Sequence, residues 1–213
     1  RPQGGESVQD AIRRNLQAVV RQEKQLGRPI VAHLNHPNFG YAVTAEDIAA
    51  VVEERYFEVF NGHPSVNQKG DEQHASIERI WDIVNTLRIA QMKKPPLYGL
   101  ATDDSHKYFG TQGSSPGRGW VMVRAAELTA NSITQSLKSG DFYSSTGVQL
   151  KSVVFDGKQL NVEIDAIEGV EYTTYFIGTR KGYDPTRRPV LDKEGNELNV
   201  TGLYAESVGE VLA

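Results

Sequence analysis

The sequence predicts an α/β protein: about half of a closed (β/α) barrel over residues 1–147, then a small β-rich module over residues 148–213. Three observations carry that expectation. Stretches of helical apolar periodicity alternate with short, nearly uniformly apolar runs, the pattern of parallel strands covered on both faces. Four such strand units precede residue 147, and the units a barrel would still need are expected upstream of Arg1. From Phe142 onward the apolar period falls towards two and turn dipeptides punctuate it.

Taken in order, Ser7-Val8-Gln9-Asp10 has capping-box spacing, and Val8, Ile12, Leu16, Val19, Val20 and Leu26 then recur near helical period. A helix over about 7–26 follows, stopped by Gly27 and Pro29. Residues 30–34 form a short apolar strand that ends in Asn35-His36-Pro37-Asn38. A second capping box, Thr44-Ala45-Glu46-Asp47, opens a helix to about residue 54. The strand at 56–60 ends in Asn61-Gly62-His63-Pro64, and a long helix over about 72–92 carries Ile77, Ile80, Trp81, Val84, Leu87 and Ile89 as its stripe. After Pro95-Pro96, a strand at 97–102 runs into Asp103-Asp104-Ser105-His106. A strand at 120–123 and a helix near 131–139, closed by Gly140, complete the first unit. Beyond residue 147, the runs 148–155, 160–164 and 170–177 read as strands, with a further hairpin around Glu194-Gly195-Asn196.

Composition narrows the function classes. With 38% hydrophobic and 23% charged residues the chain is a globular, not a disordered, sequence. A net charge of −4 offers no electrostatic footprint for nucleic acid. No apolar run approaches the ~18 residues of a membrane span. The absence of cysteine excludes disulfides, thiolate ligands and a cysteine nucleophile, and leaves the compartment unread, so soluble, exported and periplasmic settings all stay open. The opening Arg1-Pro2-Gln3-Gly4-Gly5 has neither Met nor a signal-peptide pattern, and a trimmed, processed or proteolysed start is expected.

The polar residues gather where barrel chemistry is found. His36, His63 and His106 each fall just past an expected strand, beside Asn or Asp, and barrels place their active sites at the C-terminal strand ends. Asp104 and His106 lie two apart on an extended segment, so their side chains point the same way and can share a metal ion. Carboxylate oxygen with imidazole nitrogen suits zinc, manganese or iron. The plainer alternative is an Asx-turn, with Asp104 capping its loop and His106 exposed. His33 and His36 face opposite ways on an extended chain, so the strand-end His36 is the candidate ligand and His33 a core or supporting residue. Glu58, inside an apolar strand, needs a partner: an Arg, a metal or a hydrogen-bond donor. Asn61 and His63 are candidate substrate contacts. Lys107 and Arg118, the latter in the Gly-rich stretch 113–119, are available for an anion such as a phosphate oxygen.

Together, Asn35-His36-Pro37-Asn38, Phe57-Glu58-Val59-Phe60-Asn61-Gly62 and Thr102-Asp103-Asp104-Ser105-His106 resemble the PHP (polymerase and histidinol phosphatase) superfamily of metal-dependent phosphoesterases. Gly119-Trp120 and the stretch from Leu137 to Gly147 resemble the end of that domain, in the branch with a β extension after the barrel. The likeness covers roughly residues 28–147. It implies a distorted (β/α)7, TIM-like barrel with two or three divalent metal ions. By position it makes His36 the His-Pro ligand, Asp104 and His106 the closing Asp-x-His ligands, and Asp104 a group that handles the proton of the attacking water. The family's opening His-x-His pair has no counterpart here. It is expected in a missing N-terminal part of the same protein, or else the chain is a non-catalytic relative.

The expected activity is hydrolysis of a small-molecule phosphoester or related ester. Two other classes stand beside it. One is a binding or scaffold protein that keeps the barrel without the chemistry. The other is a carbohydrate- or surface-binding protein using the β module, whose Tyr172, Tyr175, Phe176 and Tyr183 are equally suited to a core.

Overall fold

The structure is a computed structural model that describes residues 1–110 and 113–213. Helix α1 spans Val8–Leu26, and the Ser7 hydroxyl caps it by accepting from the Asp10 amide. Helix α2 covers Ala45–Ala50 under a complete capping box between Thr44 and Asp47. Strand β1 is Tyr56–Asn61. Helix α3, Ile77–Thr86, runs directly into a π-helical turn at Leu87–Met92 that ends at Lys93 in the left-handed region. Strand β2, Tyr98–Thr102, pairs with β1 in parallel. Strand β3, Trp120–Val123, is followed by α4, Ala130–Ser139, and by β4, Phe142–Ser145.

The barrel expectation fails. Among the described residues there are four α-helices and five two-stranded sheets, and none of the sheets closes. A barrel needs every strand paired on both sides in one direction. Here β3 pairs antiparallel with β4 instead of extending the β1–β2 pair. The run at 30–34 is not a strand: only Leu34 makes a parallel bridge, to Phe57, through hydrogen bonds of 3.0 Å to Tyr56 and Glu58. Pro29 and Pro37 remove backbone donors on either side of that run, and it has a single paired neighbour. The expected helix at 72–92 starts late because Asp71 Oδ1 accepts the amides of Gln73 and His74, holding 71–74 as a turn until Ser76 caps α3.

The core joins α2, α3 and the parallel pair. Ile48, Phe57, Ile77, Ile80, Ile83, Val84 and Leu97 are fully buried together, and Val208 from the far end of the chain sits in the same cluster. The C-terminal segment is fastened there by Arg79, whose guanidinium donates to the carbonyls of Tyr204, Ala205 and Val208. At the α2 N-terminus, Thr201 Oγ1 accepts from the Ala45 amide, and Glu46 accepts from Arg187, Gly202 and Tyr204. Arg88 is the largest fully buried side chain. It donates to the carbonyls of Glu54, Ile48 and Val51 at 2.6–2.7 Å, tying the end of α2 and the chain after it to the π turn.

Beyond residue 147, β5 (Leu150–Phe155) and β6 (Leu160–Ile164) form the expected antiparallel hairpin, with one register shift. The expected strand at 170–177 is reduced to β7, Ile177–Gly178, which pairs with β10, Glu210–Val211. Short strands β8, Arg187–Arg188, and β9, Leu203–Tyr204, pair with each other. The hairpin expected around residue 195 survives as a Leu191–Glu197 bridge over an Asp192-centred turn.

Candidate functional site

Strands β1 and β2 run side by side, so the residues just past their C-terminal ends emerge together. The loop after Leu34 enters at the same place, because the His36 amide donates to Glu58 Oε2 at 2.6 Å. Glu58 is the hub. It is 3% exposed, and its carboxylate also accepts from Asn61 Nδ2 at 2.8 Å and Thr102 Oγ1 at 3.0 Å. The partner its apolar strand required is therefore a set of neutral donors, with no Arg among them. His33 Nδ1 lies 3.9 Å from Glu58 Oε1, and this buried nitrogen has no hydrogen-bond partner.

Asn61 is fully buried and links the hub to the second loop, since its Nδ2 also donates to Asp104 Oδ2 at 3.2 Å. Its own carbonyl and amide are held by Gln68, and its Oδ1 accepts the His63 amide. Asp104 Oδ1 lies 3.6 Å from His106 Nδ1, and that ring nitrogen is 2.8 Å from the Asp104 carbonyl oxygen. The rings of His106 and His63 meet edge to face, centroids 5.2 Å apart.

His36 and Asp104 both have positive φ, 26° and 47°. A non-glycine residue in that region costs on the order of 1–3 kcal/mol and persists only where its surroundings dictate it, commonly at ligand sites. Here the dictating contacts are the Glu58–His36 amide bond and the Asn61–Asp104 bond.

Asp103 is the residue that sequence reasoning passed over. Its carboxylate takes three successive backbone amides: Gly117 at 3.0 Å, Arg118 at 2.6 Å and Gly119 at 2.8 Å. Burial works to raise its pKa, but those three donors and the Arg118 charge outweigh it and hold the carboxyl below the ordinary range. Arg118 turns its guanidinium back to the Gly113 carbonyl. Lys107 lies along Gly113, and the amides of His106 and Lys107 both donate to the Ser114 carbonyl.

Asp104, His106, Asn61 and His63 therefore come together, with His36 joined to them through Glu58 and Asn61. The His36 ring itself packs beside Phe39, at a centroid distance of 5.4 Å. Among the described residues, no three His, Asp or Glu side chains converge on a metal-sized volume. The donor chemistry, imidazole and carboxylate with an unpartnered buried His33 nitrogen, fits a borderline divalent ion. The geometry supplies such donors as a pair, Asp104 with His106, and not as a complete set. Among the described residues, no helix is long and apolar enough to cross a membrane.

No protein-family model matches the chain, and no curated protein or solved structure does so at a significant level.

Proposed function

We propose that the chain carries part of the centre of a metal-dependent hydrolase acting on a phosphoester or a related ester. The single observation behind this reading is the polar cluster past β1 and β2: a Glu58–Asn61–Asp104 relay, buried at Glu58 and Asn61, with the His63–His106 ring pair and with His36 and Asp104 at positive φ.

Asp104 and His106 are the ligands this chain brings together, and His36, whose ring packs beside Phe39, is the third candidate. A bound zinc, manganese or iron would supply Lewis acidity and a water far more acidic than bulk. Asp104 accepts the proton of the attacking water. The water oxygen bonds to phosphorus, the ester P–O bond breaks, and the leaving oxygen departs as the alcohol once protonated. Asn61 and His63 contact the substrate beside the reacting centre. Lys107 and Arg118 hold the phosphoryl oxygens, where cationic donors are most effective.

The test is hydrolysis of bis(4-nitrophenyl) phosphate by the chain with and without manganese, repeated on Asp104→Asn. Turnover should need the metal and should vanish with Asp104→Asn. Turnover that needs no metal, or is indifferent to Asp104, overturns the reading. One observation favours a second reading, a binding protein of the same fold without the chemistry: the donors group as a pair and not as a triad. Failure of the chain to hydrolyse any ester in the presence of metal would favour it.

A further inference from the structure

Building on that functional reading, we infer that Asp103 is a positioning residue that fixes Arg118 at the rim of the strand-end site for contact with an anionic phosphoryl oxygen. Asp103 itself spends both carboxylate oxygens on backbone amides of the loop that carries Arg118. Its role runs through the loop that crosses the end of β2.

Three facts support the assignment. First, one carboxylate accepts the amides of Gly117, Arg118 and Gly119, with Oδ1 taking two and Oδ2 one. Three consecutive amides aimed at one side chain fix the φ and ψ of the residues between them, so the direction in which Arg118 leaves the backbone is set. Second, both flanks of that contact are close-packed. A β-carbon on Gly119 would lie 2.8 Å from the Phe60 ring and from the Thr102 carbonyl, and one on Gly62 would lie 2.6 Å from the Asp103 carbonyl. The loop thus lies directly on the ends of β1 and β2. Third, the same β-carbon on Gly62 would stand 3.0 Å from that of Arg118. Arg118 therefore leaves the chain beside Gly62, between Asn61 and His63, which belong to the polar cluster. Its guanidinium rests on the Gly113 carbonyl of its own loop, a contact that a phosphate oxygen can replace with a charged one.

The alternative is that Asp103 only stiffens a surface loop, and the two differ in what Asp103→Asn does to ligand binding. The amide side chain can keep Arg118 and Gly119 on its oxygen, but its NH2 then faces the Gly117 amide, donor against donor. The loop should loosen while the rest of the fold stays.

The experiment uses the full chain. Amide hydrogen exchange is followed in wild type and Asp103→Asn, with the β1–β2 ladder as an internal control for folding. Binding of inorganic phosphate is then titrated by amide shifts in wild type, Asp103→Asn, Arg118→Ala and the double variant. Exchange at Gly117–Gly119 should rise roughly tenfold or more with the ladder unchanged. Phosphate affinity should fall on the order of tenfold in each single variant and no further in the double, as expected for one lost charged contact. Additive losses would overturn the inference, because Asp103 would then act independently of Arg118. Unchanged exchange in Asp103→Asn would sink the clamp and leave the hydrolase reading standing. A wild-type chain that binds no phosphate, with the exchange effect intact, would sink the role of Arg118 together with the phosphoester reading.

Discussion

Replacing Glu58 separates the contribution of its charge from that of its hydrogen bonds. Oε2 accepts from the His36 amide and from Asn61 Nδ2, and Oε1 accepts from the Thr102 hydroxyl. In Glu58→Gln the amide oxygen can take the Oε2 position and keep two donors. The amide nitrogen then donates to Thr102, whose hydroxyl only has to rotate. All three contacts survive as neutral ones. A charged hydrogen bond contributes about 1.5–3 kcal/mol against about 0.5–1.5 for a neutral one, so three such changes cost about 3 kcal/mol. In Glu58→Ala all three donors lose their partner in a site that is 3% exposed. At roughly 1–3 kcal/mol for each orphaned group, the loss is about 3–9 kcal/mol, a large share of the ~5–15 kcal/mol that holds a domain together. Urea unfolding followed by circular dichroism reads both, with an unchanged slope expected for Glu58→Gln. For a chain of this size the milder variant should also melt about 6–12 °C lower. If alanine costs less than about 1 kcal/mol, or glutamine costs as much as alanine, Glu58 is not the hub described here.

Arg88 should be nearly as sensitive. Arg88→Met strips three buried carbonyls of their donors and should cost about 3–5 kcal/mol by thermal denaturation, and a loss below about 1 kcal/mol would refute the strut. Glu54 sets a pH dependence. Burial raises its pKa from 4.5 to about 7, while the Tyr56 and Arg55 amides and the Arg88 charge oppose the shift. Between those values the folded chain keeps a proton that the unfolded chain releases, so stability falls as pH rises through the window and levels off above it. The span is worth about 3 kcal/mol. Asp82, raised to about 6 mainly by burial, adds a slope of the same sign. Glu54→Gln should flatten most of the decline between pH 4.5 and 7, and an undiminished slope would place its cause elsewhere.

Local rules in the sequence survived where local physics decides. Ser7 and Thr44 cap their helices as their spacing indicates, Gly140 ends α4 in the left-handed region, and β1 and β2 lie where uniformly apolar runs place them. The barrel did not survive, because apolar runs do not encode their partner. The run at 120–123 looks like the others yet pairs antiparallel with Phe142–Ser145, and the run at 30–34 finds one bridge. At the site, His36 and Asp104 were legible from their positions past apolar runs. The need of Glu58 for a partner was legible too, but not the partner's identity, since its donors come from residues 36, 61 and 102. Asp103 left no signal. Its three amides lie 14–16 residues downstream, and nothing in a neighbouring Asp-Asp pair says which carboxylate reaches them.

Whether the cluster past β1 and β2 holds a metal is the question on which the account turns. Isothermal titration of the 213-residue chain with zinc answers it most directly, repeated on Asp104→Asn and His106→Ala. Two paired donors without a third should give weak binding, and either substitution should abolish it, because neither donor alone retains the ion. Zinc binding that persists in both variants, or no binding by the unaltered chain at any accessible concentration, would contradict the metal-centre reading.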